Sequence, residues 1–212
     1  MGKILKNNER DYFKKNGFFF PLRVMSKKKA KYYREKLEEY EKNLGKPISG
    51  NERHKAHLLF TWIDALVRNP LILDAVEDII GPNILCWSSN FFIKEANDKT
   101  FVSWHQDFTY WGLHPENVIT AWIALSDASS NTGPMQVVPG SQKWDNESNV
   151  QTHDKLNLLS RGQKLNKNMS KEKIVSMPLN AGEISLHHIK LAHSSKHKNT
   201  NDRRIRLAIR YI

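Results

Sequence analysis

The chain has 212 residues, with 33 lysines and arginines against 22 aspartates and glutamates, and a formal net charge of +11. This length can bury one sizeable core without disulfides, and a single cysteine excludes both an internal disulfide and a cysteine-based zinc or iron–sulfur site. No stretch approaches the ~20 apolar residues of a membrane span, and the N-terminal stretch Met1–Lys15 has no apolar signal-peptide core. We therefore expect a cytoplasmic protein that does not associate with membranes.

The N-terminal part of the chain, about residues 1–81, is predicted to be helical. A short helix is expected from residue 7, and the apolar run that follows it is expected to stop at Pro21. Ser26 suits the N-cap of a long helix that reaches about Leu44. Two more segments have apolar residues at helical spacing, over 51–69 and 70–80.

After Pro82 the pattern changes to short segments rich in β-branched and aromatic residues, separated by turn residues. The predicted strands are 84–93, 101–104, 118–125, 135–138, 174–177, 184–188 and 204–211. So many short strands indicate a barrel or a sandwich of two sheets, and the preceding helices are expected to buttress one sheet. Residues 145–173 are polar without a clear period and are interpreted as a surface excursion or lid.

The sharpest local motif is His105-Gln106-Asp107. On a strand, residues at i and i+2 point to the same face, so the imidazole and the carboxylate would lie side by side. Together they supply two ligands of the 2-His-1-carboxylate facial triad that holds non-heme Fe(II). By itself the motif is weak evidence, because it occurs by chance and its histidine could simply be hydrogen-bonded to a neighbouring residue. The triad also needs a distant histidine, for which His187, His188 and His193 are the candidates.

Arginines follow these histidines at positions 203, 204 and 206, just before and within the last predicted strand. A guanidinium can bind a carboxylate through two parallel hydrogen bonds, and a buried arginine without an anion would be costly. An oxygenase that uses 2-oxoglutarate needs such a group for the distal carboxylate of that cosubstrate. Arg204 and Arg206 have the same strand parity, so the alternation of faces does not separate them.

The two segments WHQDFTYWGLHPENVITAWIALSDASSNTGPMQVVPGSQKW and AGEISLHHIKLAHSSKHKNTNDRRIRLAIRYI carry a family resemblance. They resemble the phytanoyl-CoA dioxygenase family of Fe(II)/2-oxoglutarate oxygenases in several motifs that occur in the same order. Gln142 stands where the family usually has histidine. The match runs from about Glu9 to Ile212, so we expect a single domain over 1–212. Many relatives continue beyond the last strand, which leaves open whether this chain is a short member or a fragment.

The resemblance implies an α+β, mainly β fold, namely a double-stranded β-helix (a jelly roll, cupin-like) over about 82–212 with N-terminal helices against it. It implies that His105, Asp107 and His193 hold Fe(II). The cosubstrate contacts carried over by the resemblance are Arg204, Ser195, Trp122 and Asn90. For Trp122, a core aromatic on a strand is an equally good interpretation.

The activity implied is hydroxylation of an unactivated C–H bond of a small molecule, with O2 as oxidant and with release of succinate and CO2. Relatives that halogenate have Gly or Ala in place of the carboxylate, so Asp107 argues against halogenation. Phe108, Tyr110 and Trp111 are expected near the mouth of the site. The alternative is a small-molecule-binding protein of the same fold without turnover. The lysines are scattered, so we expect no nucleic-acid partner and a monomer or weak homo-oligomer.

Overall fold

The computed structural model describes residues 2–113, 117–127, 133–145, 148–152, 154–159, 163–198 and 200–212, without the side chains of Tyr110 and Gln163. The helices are α1 (Asn7–Asn16), α2 (Lys27–Leu44), α3 (Thr61–Val67), α4 (Pro70–Ile80) and α5 (Phe108–Trp111). The strands are β1 (Phe18–Arg23), β2 (Cys86–Lys94), β3 (Val102–His105), β4 (Ile119–Ala124), β5 (Met135–Val137), β6 (Asn149–Gln151), β7 (Gln163–Leu165), β8 (Val175–Met177), β9 (Glu183–His188), β10 (His193–Ser195) and β11 (Arg204–Tyr211).

Two antiparallel sheets form the body of the fold. The larger has five strands in the order β1-β9-β4-β11-β2, and the smaller has four in the order β3-β10-β5-β8. Consecutive neighbours in each sheet are far apart in sequence, as the crossing connections of a jelly roll require. The predicted α+β jelly roll with N-terminal helices is therefore confirmed.

Strand β11 shows how the sequence divides the fold into layers. Alternate side chains of a strand point to opposite faces of its sheet. Ile205, Leu207 and Ile209 join the main hydrophobic core, together with buried side chains of α1 to α4. Arg204 and Arg210 lie on the other face and line a cavity between the two sheets. The helices thus cover one face of the larger sheet and leave its other face for the site.

The segment around Pro21 differs from the sequence prediction. The apolar run does not stop at Pro21 but continues as β1 to Arg23, with an irregular register between Phe19 and Leu22. Strand β1 lies at the edge of the sheet and pairs only with β9 within the described residues. An edge strand tolerates proline because one row of its N–H groups needs no ladder partner.

The prediction of one helix over 51–69 is wrong. Short 3₁₀ turns occupy Gly50–Arg53 and Ala56–Leu58, and only Thr61–Val67 is α-helical. His54 and His57 contact strand β2 instead, where their Nδ1 atoms lie 2.8 Å from Asn90 Nδ2 and 2.7 Å from Ser89 Oγ. These tertiary contacts outweigh the local helical pattern, and Leu58 is left exposed.

The segment 145–173, predicted to be an excursion, contains a small hairpin of β6 and β7. Within the part of the chain that the structure describes, no helix is both long enough and apolar enough to cross a membrane.

The start of α2 offers a direct test of the packing of the helical layer. Ser26 accepts a hydrogen bond from the Lys29 N–H (3.1 Å), as its predicted role as N-cap requires. Replacing Ser26 with alanine leaves that N–H without its capping acceptor, so we expect the free energy of unfolding to fall by about 1 kcal/mol. Urea denaturation measures this loss. The control is Lys28→Ala, which changes an exposed residue in the first turn of the same helix. An unchanged stability of Ser26→Ala would contradict the capping role.

Candidate metal centre and cavity

Three side chains converge between the two sheets. His105 ends β3 and His193 begins β10, and the two residues face each other across the antiparallel ladder. Potential ligand atoms of His105, Asp107 and His193 all lie within 4.8 Å of one another. One carboxylate and two imidazoles at this spacing are the donor set of a facial triad for a divalent metal such as Fe(II).

The two imidazoles are held in the orientation that a metal needs. His105 Nδ1 lies 2.9 Å from the Ser103 carbonyl oxygen, and His193 Nδ1 lies 2.9 Å from the Leu191 carbonyl oxygen. A carbonyl oxygen only accepts, so both Nδ1 atoms carry the proton and both Nε2 atoms keep their lone pairs. Hydrogen bonds of this kind orient histidine ligands in metal sites.

Asp107 reaches the site by a different route from the one predicted. Strand β3 ends at His105, and Asp107 already has helical dihedral angles (φ −63°, ψ −34°) directly before α5. The shared strand face inferred from the i, i+2 spacing is therefore wrong. The chain instead turns into α5, and this turn brings Asp107 Oδ1 to 3.4 Å from His105 Nε2.

The protonation states suit metal binding. Burial by itself raises the pKa of Asp107, but the neighbouring His105, His193 and Arg210 side chains outweigh it, so the net pKa lies below its ordinary value. Burial and the neighbouring His105 lower the pKa of His193 to about 4. At neutral pH the site therefore offers a carboxylate and an unprotonated imidazole, the forms that coordinate a metal.

Two buried cations lie at another part of the same cavity. Lys94 on β2 and Arg204 on β11 are Cα partners in the ladder, and both line the cavity with Ser195. The Lys94 ammonium donates to Ser195 Oγ (3.1 Å) and to the carbonyl oxygens of Thr100 (3.0 Å) and Lys196 (2.6 Å), all of which are uncharged.

Burial lowers the pKa of both cations. The pKa of Lys94 falls to about 7, with the charge of Arg204 as a second cause, and burial lowers the pKa of Arg204 to about 10. The charge of Asp98 offsets this burial only in part, and two positive charges side by side out of water attract a further anion. This pair therefore fits one carboxylate of a dicarboxylate whose other end reaches the metal triad, as 2-oxoglutarate would.

The structure separates the three arginines that the sequence left open. Arg204 lines the cavity and donates to the Gly133 carbonyl oxygen. Arg206 is buried but donates to the carbonyl (2.7 Å) and hydroxyl (3.4 Å) oxygens of Ser126, away from the cavity lining. Arg203 forms ion pairs with Glu41 and Glu95 on the helical side. Of the three, Arg204 is the one that the cavity contains.

Of the other aromatic and amide residues predicted at the site, Trp122 lines the cavity and Asn90 does not. Trp122 on β4 lines the cavity and packs against Phe92, with ring centroids 4.9 Å apart. Asn90 shares the cavity-facing parity on β2, but its amide contacts His54 and it is outside the cavity lining. Trp111 packs on Trp87 at 4.9 Å, and the side chain of Tyr110 lies outside the described residues.

Sequence reasoning missed Lys94, Thr120 and Arg210, all of which line the cavity. Lys94 lies one residue beyond the predicted end of its strand. Arg210 has the same strand parity as Arg204, which is the signal that could have found it. His187 also lines the cavity, whereas His188 turns its Nδ1 to the Lys190 N–H (3.1 Å).

The fold and the site define a jelly-roll protein with a facial-triad metal centre and a cationic cavity. The sequence matches the family described as "Phytanoyl-CoA dioxygenase (PhyH)" over residues 13–206. The chain belongs to this family of Fe(II)/2-oxoglutarate-dependent dioxygenases.

Individual relatives agree with this family. The chain is 30% identical over 161 residues to a "Probable alpha-ketoglutarate-dependent hypophosphite dioxygenase" of Stutzerimonas stutzeri, covering 73% of this chain and 54% of that protein. It is 31% identical over 81 residues to the L-proline trans-4-hydroxylase of Streptomyces griseoviridis, covering 36% of this chain and 30% of that protein. The chain thus spans about half or less of these two curated relatives.

A solved structure matches nearly the whole fold. The apo form of the non-heme monooxygenase ThoJ superimposes with a TM-score of 0.84 at 30% sequence identity, covering 96% of this chain and 76% of that one. The likeness extends through the helical layer as well as the sheets, because the covered share of this chain is almost complete.

Proposed function

We propose that the protein is an Fe(II)- and 2-oxoglutarate-dependent dioxygenase that hydroxylates an unactivated C–H bond of a small molecule. The observation that carries this proposal is a single cavity with both a facial triad and a buried Lys94–Arg204 pair. Either feature alone has other interpretations. Together they provide a metal site and a counter-charge for the far carboxylate of the cosubstrate.

The chain's own residues would bind the metal and the cosubstrate and orient them in the cavity. His105, Asp107 and His193 would hold the metal through two imidazole nitrogens and one carboxylate oxygen. Arg204 and Lys94 would bind the distal carboxylate, and Ser195 would keep the Lys94 ammonium in place. When bound, Fe(II) and 2-oxoglutarate activate O2 and supply the oxidant for C–H hydroxylation, with release of succinate and CO2.

Apolar side chains between these polar groups would exclude water from the reaction. Phe92, Val102, Trp122 and Met135 line the cavity from both sheets. A dry wall strengthens the attraction between the buried cations and a bound carboxylate. It also keeps the target carbon, rather than solvent, next to the metal.

The alternative function is a binding protein of the same fold without turnover. The complete donor set and the low pKa values of Asp107 and His193 favour the enzyme, because a protein that has lost its chemistry has no need of a metal-ready triad. The names of two relatives point to small polar substrates, hypophosphite and L-proline, and both compounds are therefore suitable first test substrates.

The proposal is tested by anaerobic titration of the chain with Fe(II) and then 2-oxoglutarate. We expect the weak visible charge-transfer band of the chelated cosubstrate, followed by succinate release once O2 is admitted. A panel that includes hypophosphite and L-proline would identify compounds that increase succinate release and gain a hydroxyl group by mass spectrometry. A band without succinate for any compound would favour the binding protein, and a folded chain without the band would refute the cosubstrate site.

The affinity for 2-oxoglutarate should depend on pH through Lys94. Its pKa is about 7 in the structure, where burial and Arg204 disfavour the charged form. A bound carboxylate favours the charged form, so binding is strongest below pH 7 and weakens as the pH rises above it. Isothermal titration between pH 6 and pH 9 should show the dissociation constant rising with pH, by up to about tenfold per pH unit. The rise should be absent in Lys94→Met, and an unchanged slope in that variant would exclude Lys94 as its origin.

A further inference from the structure

A second polar group of the cavity is formed by one residue from each of three adjacent strands. Arg210 on β11 faces Thr120 on β4, and Thr120 in turn faces His187 on β9. All three line the cavity, and their exposed fractions are 5%, 1% and 2%. We call these three residues the Arg210 row.

The Arg210 row contains polar atoms without partners. Arg210 Nε and Nη1, Thr120 Oγ1 and His187 Nδ1 are buried and have no hydrogen-bond partner among the described residues. Most buried polar groups in proteins are hydrogen-bonded. The charge of Asp107 attracts Arg210, but Arg210 Nε and Nη1 still lack hydrogen bonds. Unpaired polar atoms on three neighbouring strands, all facing one cavity, indicate a ligand that would complete their hydrogen bonds.

Aromatic rings position the guanidinium without using its N–H groups. The Arg210 Cζ atom lies 4.9 Å from the centroid of the Trp111 ring and 5.6 Å from that of Phe92. Trp111 is itself packed against Trp87. Cation–π contacts stabilise a guanidinium over an aromatic face, and they leave its N–H edge available for an oxyanion.

The Arg210 row is distinct from the Lys94–Arg204 pair. Arg210 lies six positions along β11 from Arg204, roughly 20 Å of extended strand. The row lies at the metal end of the cavity instead, where the ring centroids of His187 and His193 are 5.3 Å apart. A single carboxylate group held by Arg204 is therefore too far away to be shared with Arg210.

We propose that the Arg210 row binds an anionic group of the primary substrate, a carboxylate or a phosphorus oxyanion, and so holds the substrate beside the metal. This inference rests on the proposed function and narrows it to a class of substrate. Adjacent antiparallel residues lie about 5 Å apart, so the Arg210 fork and the Thr120 hydroxyl can reach different oxygens of one oxyanion. The same chemistry could serve the metal-proximal carboxylate of 2-oxoglutarate, which the experiment distinguishes.

The test uses the chain loaded with Zn(II) and 2-oxoglutarate, because zinc is redox-inert and no turnover occurs. Propanoate, methylphosphonate and hypophosphite are the anionic probes, and propanamide is the neutral isostere of propanoate. Their dissociation constants are measured by calorimetry or ligand-observed NMR. The variants are Arg210→Met, which removes the charge at similar length, Arg210→Lys, and Thr120→Val, which removes only the hydroxyl.

We expect the wild type to bind propanoate about ten- to a hundredfold more tightly than propanamide, as a charge-assisted hydrogen bond provides. Arg210→Met should lose that preference, Arg210→Lys should keep part of it, and Thr120→Val should weaken anion binding by about threefold to tenfold. Affinities for Zn(II) and 2-oxoglutarate should stay within about twofold of the wild type in all three variants. The melting temperature of Arg210→Met should fall little, since the lost Nε and Nη1 atoms have no hydrogen-bond partner among the described residues.

Three outcomes would overturn the inference. Equal binding of propanoate and propanamide by the wild type would show that the row does not select anions. Loss of 2-oxoglutarate affinity in Arg210→Met would assign the guanidinium to the cosubstrate, and loss of Zn(II) would assign it to positioning Asp107. Failure of the wild type to bind 2-oxoglutarate would instead contradict the proposed function. The two failures are therefore distinguishable.

Discussion

Replacing His193 with alanine is expected to abolish formation of the Fe(II)–2-oxoglutarate charge-transfer band. His193 supplies one of the three ligand groups, and its imidazole is already oriented by the Leu191 carbonyl. Even a residue that only orients a metal ligand contributes about 10–100-fold to metal affinity, so removing a ligand should weaken Fe(II) binding by more than about a hundredfold. Equilibrium dialysis with Fe(II) under anaerobic conditions measures the affinity directly.

The matched control is His188→Ala. His188 lies near His193 in sequence, but its Nδ1 contacts the Lys190 N–H and its side chain is outside the cavity lining. We expect this variant to bind Fe(II) and form the band like the wild type. If His187→Ala lost Fe(II) while His193→Ala kept it, the distal ligand would have been assigned to the wrong histidine.

Replacing Arg204 with methionine is expected to raise the dissociation constant of 2-oxoglutarate by roughly two orders of magnitude. Removing one partner of a buried, hydrogen-bonded charge pair costs about 2–5 kcal/mol, and each 1.4 kcal/mol is tenfold in affinity. Fe(II) affinity without cosubstrate should change little, because Arg204 is not a ligand. Titration of the charge-transfer band with 2-oxoglutarate gives both quantities in one experiment.

Arg203→Met is the control for this variant, since it removes the adjacent guanidinium. Arg203 pairs with Glu41 (2.5 Å) and Glu95 (2.8 Å) on the helical side of the sheet and is not part of the cavity. Its loss should reduce stability and leave 2-oxoglutarate affinity unchanged. A normal affinity in Arg204→Met would mean that Lys94 alone holds the distal carboxylate, or that the cosubstrate binds elsewhere.

The two variants also separate the two halves of the site. His193→Ala should lose the metal, whereas Arg204→Met should retain the metal and lose the dicarboxylate. Ser195 connects these halves, because it follows His193 on β10 and accepts from Lys94. Such separation would support one cavity in which the metal and the distal carboxylate are bound by different strands.

Most of the fold could be predicted from residue patterns. Residue alternation and turn signals located most strands of the core, and α2 begins after Ser26 and ends at Leu44 as expected. Several elements were missed, among them two strands whose local sequence does not resemble a strand. Strand β1 contains Pro21, and β10 consists of His193–Ser195 without an apolar residue, so neither has a recognisable strand pattern of its own.

The sequence by itself determined the kinds of groups in the site: a histidine and a carboxylate close together, a distant histidine, and arginines on the last strand. Local spacing could not select His193, because His187 and His188 are also near in sequence; the family resemblance selected it. The ladder then brings His193 opposite His105, which only the pairing of β10 with β3 could reveal.

The tertiary structure alone decided which charges share the cavity. Strand parity places Arg204, Arg206 and Arg210 on one face, and it makes them equivalent. What distinguishes the three arginines is the set of residues next to each one. Arg204 meets Lys94, Arg206 turns to Ser126, and Arg210 stands beside Thr120. Pairing between strands far apart in sequence sets these neighbours, and no local pattern encodes it.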